Sequence, residues 1–85
     1  MSEKISVPTK FGEIGLRYAM IDTDGTNLEE GYDVYDEDND HVGQIFTTFD
    51  EDLLTQDVNN LDEDYTIEEY KGEISRLETY IEMFF

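Results

Sequence analysis

What most constrains this chain is a long run of acid threaded through an apolar pattern. Between residues 22 and 64 there are sixteen carboxylates and no Lys or Arg, while Tyr32, Val34, Tyr35, Val42, Ile45, Phe46, Phe49, Leu53 and Leu54 stand among them. Acid alone at this density keeps a segment disordered, because too little apolar surface is buried to offset the chain entropy. Here the apolar residues recur with strand and helix spacing, so the run reads as a folded surface of one sign. With 23 Asp and Glu against five Lys and Arg, the net charge is -18. Like charges gathered on a compact body repel one another. The field opposes the fold, and it points to a basic partner as its purpose.

The 85 residues make a single domain, and a chain of this size buries only ~60% or slightly more of its unfolded surface. The absence of Cys excludes a disulfide framework and thiolate chemistry, and it fits a reducing compartment. The first twenty residues lack the continuous apolar core of a signal peptide, and no run approaches the ~20 apolar residues of a membrane span. A cytoplasmic location is the expectation. No membrane role is expected, since an anionic chain is repelled by anionic lipid.

Charge is segregated along the chain. Up to residue 21, Lys4, Lys10 and Arg17 outnumber Glu3 and Glu13, whereas beyond it only Lys71 and Arg76 are basic. Residues 4–8 read as a strand with Ile5 and Val7 on one face and Pro8 at its end or on a sheet edge. Residues 11–15, with two glycines, suggest a turn or bulge. In residues 13–21, Ile14, Leu16, Tyr18 and Met20 alternate with Gly15, Arg17 and Ala19, which is the period of a strand with one buried face. Residues 22–27 are rich in turn formers. Residues 32–36 and 41–48 read as two further strands joined by the acidic connection 36–40.

The spacing then becomes helical. Asp50 is a candidate N-cap, Phe49 a staple against Leu54, and Leu54, Val58 and Leu61 the apolar face of a short helix that stops at Asn59 and Asn60. Thr66 and Glu69 have the spacing of a capping box, flanked by Tyr65 and Tyr70. Behind them Ile67, Tyr70, Ile74, Leu77, Ile81 and Phe84 form a stripe at 3-4 spacing. Gly72 sits on the polar side, where it costs up to ~1 kcal/mol relative to Ala unless a close backbone contact needs it. The expectation is an α+β domain, a three- or four-stranded antiparallel meander followed by one short and one long helix packed on one sheet face. The outer sheet face and the loops should then hold most of the acids. Met83, Phe84 and Phe85 should complete the core, the alternative being a homodimer through the C-terminal helix in place of a monomer.

Catalysis has little to work with. His41 is the single histidine, and no nucleophile triad or Gly-rich phosphate loop is present. An enzyme is not expected, and no cofactor is implied. Asp36, Asp38 and Asp40 open like an EF-hand loop, but His41 stands where the loop needs Gly and Thr47 where it needs a bidentate Glu. Asp22, Asp24 and Asp33 fit positions 1, 3 and 12 of another such frame, with Asn27 at position 6. Weak Ca²⁺ association is the alternative that these clusters raise.

The acidic field itself is the stronger lead. Side chains on one strand face repeat every ~6.8 Å, and duplex DNA carries a phosphate every ~3.4 Å of axis on each strand, so carboxylates on strands and loops can approximate a row of phosphates. In size and charge the chain resembles the small DNA mimics that phages and mobile elements carry against restriction enzymes, CRISPR nucleases or repair glycosylases. That resemblance implies an inhibitor occupying the basic surface of a nucleic-acid-binding protein, with no nucleic acid bound directly. An immunity or antitoxin protein that caps a basic toxin would use the same electrostatics. The expected contacts are Asp22, Asp24, Glu29, Glu30, Asp33, Asp36, Glu37, Asp38 and Asp40, with Tyr32 and Tyr35 as aromatic anchors among them.

Overall fold

Alternation in the N-terminal half becomes a sheet, and the helical stripe closes its apolar face. The computed structural model describes residues 3–22, 24, 25 and 27–85. Its elements are β1 (Lys4–Thr9), β2 (Gly12–Asp22), β3 (Leu28–Tyr35), β4 (His41–Ile45), α1 (Glu51–Leu54) and α2 (Ile67–Phe84). The four strands lie side by side in chain order, each antiparallel to the next. This is the α+β meander with a short and a long helix after it. Among the described residues, no helix is long and apolar enough to cross a membrane.

Register decides which side chains become core. Leu16 lies opposite both Ile5 and Val34, and Tyr32 lies opposite both Tyr18 and Ile45, so one face collects the apolar residues of all four strands. Val7, Ile14, Leu16, Tyr32, Val34 and Ile45 meet Phe49, Leu54, Leu77 and Ile81 in a single core. Among the described residues, no polar or charged side chain is buried. Every carboxylate there keeps at least part of its hydration.

The turn between β1 and β2 is tighter than the two glycines suggested. Gly12 alone bends the chain, at φ +98°, and Thr9 Oγ1 accepts from Phe11 N at 3.1 Å while donating to Gly12 O at 2.9 Å. Gly15 lies inside β2, beneath Lys4 and Tyr35. β3 begins at Leu28, four residues earlier than alternation indicates. β1 starts opposite Arg17 and β4 ends opposite Tyr32, so beyond those points β2 and β3 continue as a two-stranded arm. At its base Gly31 passes under the Ile45 carbonyl, where no Cβ fits.

β4 stops at Ile45 because the next residues serve the helix instead. Arg76 donates to Thr48 O at 2.9 Å and to Thr47 Oγ1 at 3.0 Å, and its guanidinium lies over Phe49 at 4.6 Å. β4 is therefore a short edge strand, with an irregular register opposite Val34 and Tyr35. The other edge, β1, contains Pro8, which lacks a backbone donor.

Both helix starts follow their signals. Asp50 accepts from Leu53 N at 3.1 Å, and Thr66 and Glu69 exchange the two capping-box bonds at 3.1 and 3.2 Å. α1, however, is a single turn, leaving Val58 exposed in the connection that follows. In α2, Tyr70, Leu77 and Ile81 are buried, with Ile74 and Tyr80 packed against the core. The stripe is thus largely used within the chain. Met83, Phe84 and Phe85 do not complete the core as expected, since all three remain exposed. Phe84 stacks on Tyr80 with ring centroids 6.0 Å apart, and the Phe85 ring covers Gly43.

Candidate partner-binding surface

Eight of the eleven expected contact residues separate into two groups towards opposite ends of β3, while Tyr32, Asp33 and Tyr35 lie between them. At the tip of the arm, Asp22 Oδ1 accepts from Gly25 N at 2.6 Å, and Asp24 Oδ1 accepts from Asn27 N at 2.9 Å. Glu29 and Glu30 follow on the returning strand, both exposed, with Glu30 accepting from the Tyr18 hydroxyl at 2.8 Å. That bond, followed by burial and the Glu30 and Glu51 charges, holds the Tyr18 phenol above its ordinary pKa. At the other end, Asp36 Oδ1 accepts from Asp38 N and Asp40 N, each at 2.9 Å. Asn39 turns the chain there at φ 67°, a conformation that Asn tolerates. Glu37 reaches across to Glu13 N at 3.3 Å.

Backbone donors hold the carboxylates of Asp22, Asp24, Asp36 and Glu37 at set positions, and the Tyr18 hydroxyl holds that of Glu30. Asp36, Asp38 and Asp40 each bring an oxygen within 4.8 Å of the others. From end to end the eight residues of β3 span about 23 Å at a rise of ~3.3 Å per residue, with Glu29 and Glu30 near one end and Asp36 just past the other. Neither EF-hand frame has the helices that flank such a loop, because the first joins β3 to β4 and the second joins β2 to β3. In the first, the Asp36 oxygen already closes the turn with two backbone bonds.

Between the two ends, the open sheet face departs from expectation. Lys4 lies 5.0 Å and Arg17 5.6 Å from the Tyr35 ring centroid, and His41 meets the same ring edge-on at 5.4 Å. Asp33 accepts from Gln44 Nε2 at 3.0 Å and is bonded to His41 Nε2 at 3.0 Å. The outer face is therefore mixed in charge, because N-terminal cations on β1 and β2 pair across the sheet with β3. Most of the acid sits instead on loops and helices. Asp33 and Tyr35 belong to this mixed centre, half-buried among those partners.

Tyr32 must be removed from the set of surface anchors. Only 1% of it is exposed, and its hydroxyl donates to Glu51 Oε2 at 3.0 Å beside the Phe49 carbonyl. Burial is the main reason its pKa rises to about 12. Tyr32 and Val34 flank Asp33 along β3 and lie on the inner face together, and that position outweighs the general preference of interfaces for Tyr.

Comparison with protein-family models, curated proteins and solved structures finds no match. What the surface can do follows from its own geometry, and that geometry includes a third acidic group. Tyr65 has its pKa raised first by burial and then by Asp50, Asp52, Asp62 and Asp64 together. The charges of those four carboxylates, from the start of α1 and from the connection after it, all act on one phenol. In the sequence they are spread over fifteen positions, with only Asp50 and Asp52 readable as helix-start residues. Asp62 and Asp64 are near Tyr65 already in sequence, whereas the influence of Asp50 and Asp52 depends on the path of the chain between them.

Proposed function

We propose that the protein is a small acidic interaction module that blocks the basic nucleic-acid-binding surface of another protein by presenting carboxylates where phosphates would lie. The observation that carries this reading is that Asp22, Asp24 and Asp36, at the two ends of the β2–β3 pair, are each bonded to backbone N–H groups, with further exposed carboxylates beside them. The length of β3, about 23 Å, spans roughly seven base-pair steps of ~3.4 Å. The Lys and Arg contacts that position a protein on DNA are spaced along such a track. Fixed charges also spare the partner the entropy of ordering loose acidic tails, and the field accelerates encounter.

The test is a capture experiment with competition. The tagged protein is incubated with lysate at low salt, and bound proteins are eluted in salt steps or by duplex DNA. A variant carrying Asp36→Lys, Asp38→Lys and Asp40→Lys serves as control. The expected outcome is one basic nucleic-acid-binding protein, released by DNA, missed by the control and unable to bind DNA while the module is attached. A captured protein that binds DNA and the module together would sink the proposal, as would a generic set of basic proteins lost equally by ~150 mM salt.

A further inference from the structure

Tyr18 stands where β2 leaves the four-stranded part of the sheet for the arm, and with Glu3, Ile5 and Glu51 it lines an open cleft of about 490 Å³. Its ring meets Tyr32 edge-on with centroids 6.0 Å apart, and its hydroxyl is committed to Glu30. Tyr32 in turn donates to Glu51 Oε2, which holds that carboxylate beside the cleft. The site thus combines a half-buried aromatic ring, an aliphatic wall and two carboxylates, with a third behind the phenol.

The chain seats its own cations in surroundings of this kind. Arg76 lies 4.6 Å from the Phe49 ring centroid and 5.8 Å from that of Tyr80, bonded to Glu73 at 3.3 Å and to the Thr48 carbonyl. Lys4 and Arg17 lie over Tyr35, and Lys10 lies over Phe11 while pairing with Glu82 at 2.7 Å. Lys4, Lys10, Arg17 and Arg76 are four of the five Lys and Arg in the chain, and each rests on a ring. Among the described residues, none rests on Tyr18, although Glu30 bonds its hydroxyl and Glu3 and Glu51 line the same cleft.

We propose that this cleft receives a guanidinium group, supplied by an arginine of the basic partner. Only the source of the arginine rests on the function proposed above. Guanidinium fits better than ammonium because it is planar, stacks on a ring face and offers a fork of donors to a carboxylate edge. Glu51 is the bonding partner, Glu3 supplies the outer charge, and the arginine stem lies on Ile5. Arg76 with Phe49 and Glu73 is the internal template for this arrangement.

The probe is N-acetylarginine amide, titrated into ¹⁵N-labelled protein at low salt and read by NMR, with N-acetyllysine amide as comparison. Saturable shifts confined to the surroundings of Tyr18, Glu51 and Ile5 are expected, with weaker binding of the lysine probe. Glu51→Gln keeps an acceptor for Tyr32, so the fold should persist while affinity for the arginine probe falls roughly tenfold through loss of a charge-assisted bond. Tyr18→Leu should weaken it as well. Shifts spread evenly over all acidic groups, equal affinity for both probes, or no effect of Glu51→Gln would each overturn the proposal. Guanidinium binding without capture of a partner would count against the inhibitor reading alone, and capture without guanidinium binding against the cleft alone.

Discussion

At the scale of single residues, Gly72 is the clearest opportunity. A Cβ built there meets nothing within 4 Å, so the close backbone contact that would justify glycine is absent, and only its helix cost remains. Gly72→Ala should therefore stabilise the protein by about 0.5–1 kcal/mol, read as a higher urea midpoint at unchanged slope. A lower midpoint would show that something outside the chain needs that gap. Tyr32 gives a prediction in pH. Its folded pKa of about 12 lies above the ordinary value of 10.0, so the folded state holds the phenolic proton more tightly. Below pH 10 both states are protonated and the stability is fully present; between 10 and about 12 the unfolded state ionises first and the stability drains away. Tyr18, Tyr65 and Tyr70 are shifted in the same direction. A urea midpoint that fails to drop between about pH 8 and about pH 11.5 would contradict this, and Tyr32→Phe should make the drop shallower. Period 2 made the inner face of β2 legible through Ile14, Leu16 and Tyr18, but it failed at Met20, which is half exposed while Ile21 is buried, because β2 has by then left the four-stranded part of the sheet. Tyr32 shares the strand parity of Val34, which carries its inward position, whereas the enrichment of Tyr at interfaces says nothing about which face it is on.

At the scale of elements, α2 was the most readable part of the chain because its signals are local. The capping box and the 3-4 stripe each follow from neighbours within four residues; the box is complete, and the stripe packs inward at Tyr70, Ile74, Leu77 and Ile81 while its ends, Ile67 and Phe84, stay exposed. Thr66→Ala removes the acceptor for Glu69 N and should cost about 1 kcal/mol, with loss of helix content on heating seen first at that end. A Thr66→Asp variant should restore most of it, and an unchanged midpoint for Thr66→Ala would mean the helix start is held by packing alone. The elements that were misread depend on distant residues. β4 ends early because Arg76, far along the chain, takes Thr47 and Thr48. β3 begins early because it pairs with β2 on an arm, where Glu29 and Glu30 face solvent on either side and no alternation is required. The candidate surface shares this limit: the turn at 36–40 could be read locally, as could Asp62 and Asp64 beside Tyr65, while the influence of Asp50 and Asp52 on that phenol could not, and Thr23 and Thr26 of the expected 22–27 turn lie outside the described residues.

At the scale of the whole molecule, charge sets the behaviour. Twenty-three acids face five Lys and Arg in a net charge of -18, so most carboxylates have no cationic partner in the chain and repel one another through water. Added NaCl screens that repulsion within ~8–10 Å, and the melting temperature should rise between low salt and about 0.5 M. A flat response would mean that the carboxylates lie too far apart to interact. The same screening acts on the sheet edges. Proteins commonly guard such edges with lysines, yet here β4 is short and irregular, β1 carries Pro8, and neither strand is rich in cations. Mutual repulsion between whole molecules then keeps one sheet from adding to another. Concentrated salt should make the protein harder to melt and, at high concentration, easier to polymerise edge to edge, so thermal stability and colloidal stability move in opposite directions.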